Sequence, residues 1–305
     1  MWTDSIATVR LFFLFLSLVA VGPLLQASHL EKKTIYGEDS RREIVDLSLA
    51  HLKVWRERTV AFVDAQDIDE EKAGGRGRLK PLGPEYKLCP GERFYNQPTL
   101  SFCTGFFLDS QWIATARHCI EDIPCEKIRL LRDYTIQRAG DLYFSSDQIL
   151  KCKTIVSSLR HDLAFVRVET KQKFSFMPLS LPITTGLSSV GSFPESVEML
   201  GFPLGLPMKW AQGQLIHQAK DAFLAQIDSF EGNSGSPIVD PSARLVGLLV
   251  SGDEDFEAMG KISCQTSYQC VNENDCEGEE ILPAKVILRE FSRLIGSAVD
   301  AGQFR

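Results

Sequence analysis

The chain has 305 residues, of which 44% are hydrophobic, 24% charged and 10% aromatic. These ordinary globular values exclude a disordered, collagenous or low-complexity protein. Thirty-three basic against 40 acidic residues give a net charge of −7. No Lys/Arg-rich run is long enough to track a phosphate backbone, so nucleic acid is not an expected partner.

In chain order, residues 1–10 end in Arg10, and LFFLFLSLVAV follows from Leu11 to Val21 without a charge. With Gly22-Pro23 and the small pair Ala27-Ser28 beyond it, this reads as a secretory signal peptide over residues 1–27. Even extended to Leu25 the apolar stretch is 15 residues, short of the roughly 20 that a spanning helix needs. The mature chain is therefore expected to be secreted or periplasmic, with no membrane span. Cys89, Cys103, Cys119, Cys125, Cys152, Cys264, Cys270 and Cys276 all lie in the exported part. An even number in an oxidising compartment predicts up to four disulfides. Zinc is the weaker reading, because no C-x-x-C pair occurs and Cys264, Cys270 and Cys276 are spaced by six.

Residues 28–93 read as an N-terminal arm followed by an insertion. The arm includes a candidate strand at LKVWRERTVAFV. The segment 65–88, with an acidic run, four glycines and two prolines, has loop chemistry. From about Phe94 short β-type runs take over, among them SFCTGFFL, QWIATA, KIRLLRDY, DLAFVRVE, SVEMLGF, GQLIHQA, AFLAQID, SPIVD and RLVGLLVSG. Gly, Pro, Asp and Ser turns separate them at the intervals of a sandwich or barrel. Only LPAKVILREFSRLIGSAV has helical periodicity, with Val286 and Leu294 on its apolar face. No internal repeat is evident. The expected architecture is all-β with a terminal helix.

The chemistry concentrates in Asp228-Ser-Phe-Glu-Gly-Asn-Ser-Gly-Ser-Pro237. Ser234 sits in a glycine-flanked polar turn between two apolar runs. A serine there is either a turn residue or a nucleophile, and a nucleophile needs a base and a group to hold that base. The glycines let the chain turn so that the amides of Gly232 and Ser234 converge on one spot, as an oxyanion hole requires. All five histidines (His29, His51, His118, His161, His217) precede Ser234, which excludes the Ser…Asp…His order of the α/β-hydrolases. His118 closes the apolar strand WIATA beside a cysteine and fits a rigidly held base; His161 and His217 fit less well. Asp162 opens the apolar strand Asp-Leu-Ala-Phe-Val-Arg-Val and suits the orienting acid, with Asp141 and Asp147 as fallback candidates.

Thr115-Ala-Arg-His-Cys119, Asp162-Leu-Ala164 and Gly232-Asn-Ser-Gly-Ser-Pro237 resemble, in order, the three catalytic motifs of the chymotrypsin-like serine peptidases. The resemblance implies two six-stranded antiparallel β-barrels, over residues 94–175 and 176–305, with a C-terminal helix on the second. It also implies that His118 is general base, Asp162 its orienter and Ser234 the nucleophile. By the same resemblance Cys103 pairs with Cys119, and Ser251-Gly252 belong to the strand that receives the substrate backbone. Separations of 44 and 72 residues along the triad, Asn233 before the serine, and Gly201-Phe-Pro203 resemble the compact bacterial branch containing the glutamyl endopeptidases. Thr34-Ile-Tyr-Gly-Glu-Asp-Ser-Arg41 is similar to the mature N-terminus of that branch, and Lys32-Lys33 before it suggests a short propeptide at 28–33 and a zymogen.

Three positions depart from the family pattern. Arg117 precedes the base where a small residue is usual. Asn233 replaces the aspartate that pairs with a newly cut N-terminus in the digestive enzymes. Leu249 stands where glutamyl endopeptidases carry a carboxylate-binding histidine. Asp228, with Ser229 beside it, occupies the position of the trypsin-type specificity aspartate; the expected cleavage is after Arg or Lys, and the other reading of Asp228 is a strand-ending cap. The expected activity is that of a secreted serine endopeptidase acting as a monomer on protein or peptide substrates. No cofactor and no metal is expected, since neither Asp253-Glu-Asp255 nor Asn272-Glu-Asn-Asp275 has an EF-hand pattern. The alternative is a catalytically inactive homologue serving as an extracellular binding module.

Overall fold

The computed structural model describes residues 34–47, 50–70, 75–136, 143–170, 196–218, 221–251, 255–259, 263–270 and 277–296. The expected signal peptide over 1–27, the segment 28–33, Asp141, Gly252, Cys276 and the boundary at 175/176 lie outside them.

Twelve strands form two closed barrels. The first comprises β1 (Thr59–Asp64), β2 (Cys103–Phe107), β3 (Trp112–Thr115), β4 (Ile128–Arg132), β5 (Ile149–Ser157) and β6 (Ala164–Val168). The second comprises β7 (Val197–Gly201), β8 (Lys209–Gln218), β9 (Phe223–Ile227), β10 (Pro237–Val239), β11 (Leu245–Ser251) and β12 (Glu279–Pro283). All the barrel pairings are antiparallel. Each barrel runs first, second, third, sixth, fifth, fourth strand and back to the first. The same topology thus occurs twice, in two halves with no evident sequence repeat. Closure removes the open edges through which a lone sheet would pair with another chain.

The first barrel starts earlier than the boundary at 94 set from the sequence. Val60, Ala61, Phe62 and Val63 are fully buried, and β1 bonds to both β2 and β4, so this strand closes the barrel. The β-type runs named from the sequence all supply strands, but β5 and β12 were not among them. In β5 the exposed Lys151 and Lys153 alternate with the buried Leu150 and Cys152.

Helix α1 (Ala284–Phe291) follows Pro283 and buries Ala284, Val286 and Ile287. It returns to the first barrel, where Phe291 meets Trp112 and Phe165 edge-on with ring centroids 6.3 and 5.3 Å apart. Trp55 on the first side donates its indole N–H to Ala243 O on the second, at 2.9 Å. A third apolar cluster joins Leu82 and Leu88 of the insertion to Ile35, Leu204, Leu206 and Phe230. Part of the inserted segment therefore braces the loops of the second barrel.

Three disulfides join Cys89 to Cys264, Cys103 to Cys119 and Cys125 to Cys152. Cys270 is disulfide-bonded as well. None of the described cysteines is a free thiol.

Candidate active site

His118 lies in a single turn, Arg117–Cys119, directly after β3. Asp162 lies in the loop between β5 and β6. One Asp162 oxygen accepts the His118 backbone N–H at 2.9 Å, and the other is 2.5 Å from His118 Nδ1. An ionised carboxylate only accepts, so Nδ1 carries the ring proton and Nε2 keeps its lone pair. This leaves Nε2 free to act as a base.

The hydrogen bond that the His118 ring donates to Asp162 raises the His118 pKa above its ordinary 6.5, against the opposing effect of burial. For Asp162, burial alone would push the carboxyl up; the hydrogen bonds from the His118 ring and backbone overcome it and hold the group below 3.8. Each partner thus favours the charged form of the other. The imidazolium form cannot take a proton, so the capacity of this ring to act as a base falls as pH drops through the raised His118 pKa. A profile of kcat/KM against pH is expected to show an acid limb with its midpoint above 6.5.

The loop carrying Asp162 is fixed from two sides. Ser158 Oγ donates to the buried Glu290 of α1 at 2.9 Å and accepts the backbone N–H groups of Arg160 and His161. Arg117 donates to Ser158 O at 3.3 Å and pairs with Glu121. The unusual residue before the base therefore ties the histidine turn to the aspartate loop.

Ser234 approaches this pair from the second barrel. Its carbonyl accepts the Thr104 N–H of β2 at 3.0 Å. Thr104 Oγ1 donates to Gly232 O at 2.7 Å and accepts the Phe202 N–H at 3.1 Å. Gly235 has φ +90°, and a Cβ there would lie 2.0 Å from Thr104 O, so only glycine fits. The Cys119 sulfur is 3.7 Å from Ser234 O; as a disulfide sulfur it has no proton to donate. A ring nitrogen of His118 lies within 4.8 Å of the sulfurs of Cys103 and Cys119, so the histidine ring and the serine loop flank one disulfide. The same three residues have the ligand types of a metal site, but their sulfurs are already bonded to each other, leaving no thiolate for an ion.

Gly232 also has a positive φ, +90°. Among the described residues, neither the Gly232 N–H nor the Ser234 N–H donates a hydrogen bond. Both remain available to a developing oxyanion.

Asp228 is buried at 2% exposure. Its two oxygens accept the backbone N–H groups of Tyr36 at 2.8 Å and Ser40 at 2.5 Å, and burial raises its pKa. Ser229, also buried, donates its N–H to Thr34 O. These two residues thus anchor the N-terminal segment, whose Ile35–Tyr36 pairs with Gln269–Cys270. The Leu249 backbone bonds to Gly235 and Ser236, and Ser251 ends β11 in register with Glu280. His161 and Asp147 take no part in the His118–Asp162 pair, and His217 lies on β8. The sequence reading missed Thr104, Ser158 and Glu290, which position the site from residues far away along the chain.

A base–acid pair on one antiparallel barrel and a glycine-flanked serine on the other define a chymotrypsin-type peptidase architecture. Residues 103–248 match the family model of the trypsin-like peptidase domain. Trypsin of Xenopus laevis is 22% identical over 174 residues, which are 50% of this chain and 70% of that protein. The serine proteinase stubble of Drosophila melanogaster is 24% identical over 185 residues, covering 48% of this chain but only 22% of that protein. A solved protease of M. tuberculosis in its active form is 11% identical, with TM-score 0.48, covering 87% of this chain and 91% of its own. Residues 103–248 thus carry a trypsin-like peptidase domain, and the similarity to a trypsin and a serine proteinase supports a serine endopeptidase hydrolase. The glutamyl endopeptidases are not among these relatives, so that branch remains a resemblance.

Proposed function

We propose that the protein is a secreted serine endopeptidase acting through His118, Asp162 and Ser234. In this reaction Ser234 Oγ attacks the scissile carbonyl carbon while His118 Nε2 takes the hydroxyl proton. The carbonyl oxygen gains negative charge against the amides of Gly232 and Ser234. His118 returns the proton to the departing amine, and water then hydrolyses the acyl-enzyme by the same steps. The observation that carries this reading is the double hold of Asp162 on the His118 backbone and ring, next to a serine loop pinned by Thr104. The inactive alternative would require the loss of a triad member, and all three are present.

Cleavage after Arg or Lys is proposed on Asp228. Its oxygens accept from the backbone of Tyr36 and Ser40, so a substrate cation would share the carboxylate with the N-terminal segment. The test is cleavage of a mixed peptide library by the purified mature protein, with fragments read by mass spectrometry. The expected result is Arg or Lys on the acyl side of the cut and loss of that preference in Asp228→Ser. An unchanged preference in the variant would overturn it.

Export is proposed on the hydrophobic leader and is supported by the disulfides, with processing after Lys33. Thr34 and Ile35 are both buried, which suits a segment seated in its final place. Mass spectrometry of the protein in the medium is expected to give Thr34 as N-terminus; a secreted, active form beginning only at Ser28 would contradict the second cut.

A further inference from the structure

The direction of the Gly232 N–H is set by its neighbours on the chain. In the planar trans peptide between Glu231 and Gly232, the carbonyl and the N–H point in opposite directions. The Leu204 N–H donates to Glu231 O at 2.5 Å, which turns the Gly232 N–H to the other side. On the preceding peptide, the Glu231 N–H donates to Asp255 Oδ2 at 2.8 Å. Both peptide units flanking the Glu231 Cα are thereby held from outside the loop, one by a backbone amide and one by a carboxylate.

Resting on the peptidase reading, we propose that Asp255 is a positioning residue for the oxyanion hole, acting through the Glu231 N–H. Asp255 lies outside the three catalytic motifs, next to the hairpin of Phe256–Ala258 and Gln265–Ser267. That hairpin is well placed to hold the carboxylate still. Tyr268 N–H donates to Asp255 O. Phe256 packs against Phe230 and Tyr86 with centroids 5.9 and 5.7 Å apart. Gln265 exchanges backbone bonds with Lys87 and Cys89, and Cys264 is bonded to Cys89. The inserted segment therefore supports the hairpin, and Asp255 at its edge supports the oxyanion loop. Burial, opposed by the Glu231 N–H bond and by Arg41 and reinforced by the Glu231 charge, puts the Asp255 carboxyl at about 7, so comparisons belong at alkaline pH, where it is charged.

The test compares wild type, Asp255→Asn and Asp255→Ala by steady-state kinetics, thermal midpoint and the rate of labelling by a fluorophosphonate, whose phosphoryl oxygen occupies the oxyanion position. Asn retains an oxygen that can accept from Glu231; Ala has none. The expected result for Ala is a fall in kcat and in labelling rate of about tenfold or more, short of the roughly 10²–10³-fold lost when an oxyanion donor is itself removed, with KM changed less than about twofold. Asn is expected to recover most of both. If Ala does not fold, a labelling rate and KM for Asn close to wild type, together with slow exchange of the Glu231 amide hydrogen, is the expected outcome; fast exchange of that amide in wild type would overturn the proposal. So would kcat and labelling of a folded Ala variant within about twofold of wild type. Failure of the wild type itself to label would instead overturn the peptidase reading on which the proposal rests.

Discussion

Replacing Ser234 with alanine is expected to abolish peptide hydrolysis, lowering kcat by about five to six orders of magnitude, the scale found when a serine nucleophile is removed. Stability is expected to change little. The loop is held through backbone groups: Ser234 O by Thr104, Gly235 N–H by Leu249 O, and Gly232 O by the Thr104 hydroxyl. None of these bonds uses the serine hydroxyl. A variant with an unchanged melting midpoint and no turnover would place the effect on chemistry. Residual activity within a hundredfold of wild type would mean that another group is the nucleophile.

The second large effect is expected at Asp162→Asn, where kcat should fall by about 10⁴-fold, as when the orienting member of such a triad is neutralised. The side-chain amide can donate to Nδ1, which favours the tautomer with the proton on Nε2 and takes away the base. The pH profile supplies an independent readout. Asp162 raises the His118 pKa chiefly through its hydrogen bond, so without the carboxylate the acid limb of kcat/KM should move to lower pH. The same coupling affects stability with opposite signs for the two partners. The raised His118 pKa contributes stability at pH below 6.5 that is lost as pH rises through the folded value. The depressed Asp162 pKa contributes stability above 3.8 that is lost as pH falls through its folded value. An Asp162→Asn enzyme with wild-type kcat and an unmoved acid limb would remove Asp162 from the mechanism.

The residues of the candidate site are more legible in the sequence than the framework holding them. His118, Asp162 and Ser234 each sit at the end of an apolar run beside small or turn-forming residues, a local pattern that a sequence displays directly. Strands such as Ala164–Val168 and Leu245–Ser251 were legible for the same reason, as buried runs bounded by turn residues. The first strand was harder to assign, because Thr59–Asp64 is separated from its partner Cys103–Phe107 by the whole insertion. The β5 strand, interrupted by Lys151 and Lys153, was not among the strands named. The duplicated barrel topology left no evident repeat in the residues, since a barrel needs alternating burial rather than particular side chains. The positioning groups were the least legible. Thr104 reaches Gly232 across 128 residues, Ser158 reaches Glu290 across 132, and Asp228 reaches Tyr36 across 192. A threonine in a strand or a glutamate in a helix carries no local mark of such a partner.

Fluorophosphonate labelling of the mature, secreted protein, with Ser234→Ala as control, tests the central claim most directly. The account predicts one covalent adduct per chain, located on Ser234 by peptide mapping, and none on the variant. A folded protein with its N-terminus at Thr34 that takes up no label, or that labels equally in the variant, would contradict it.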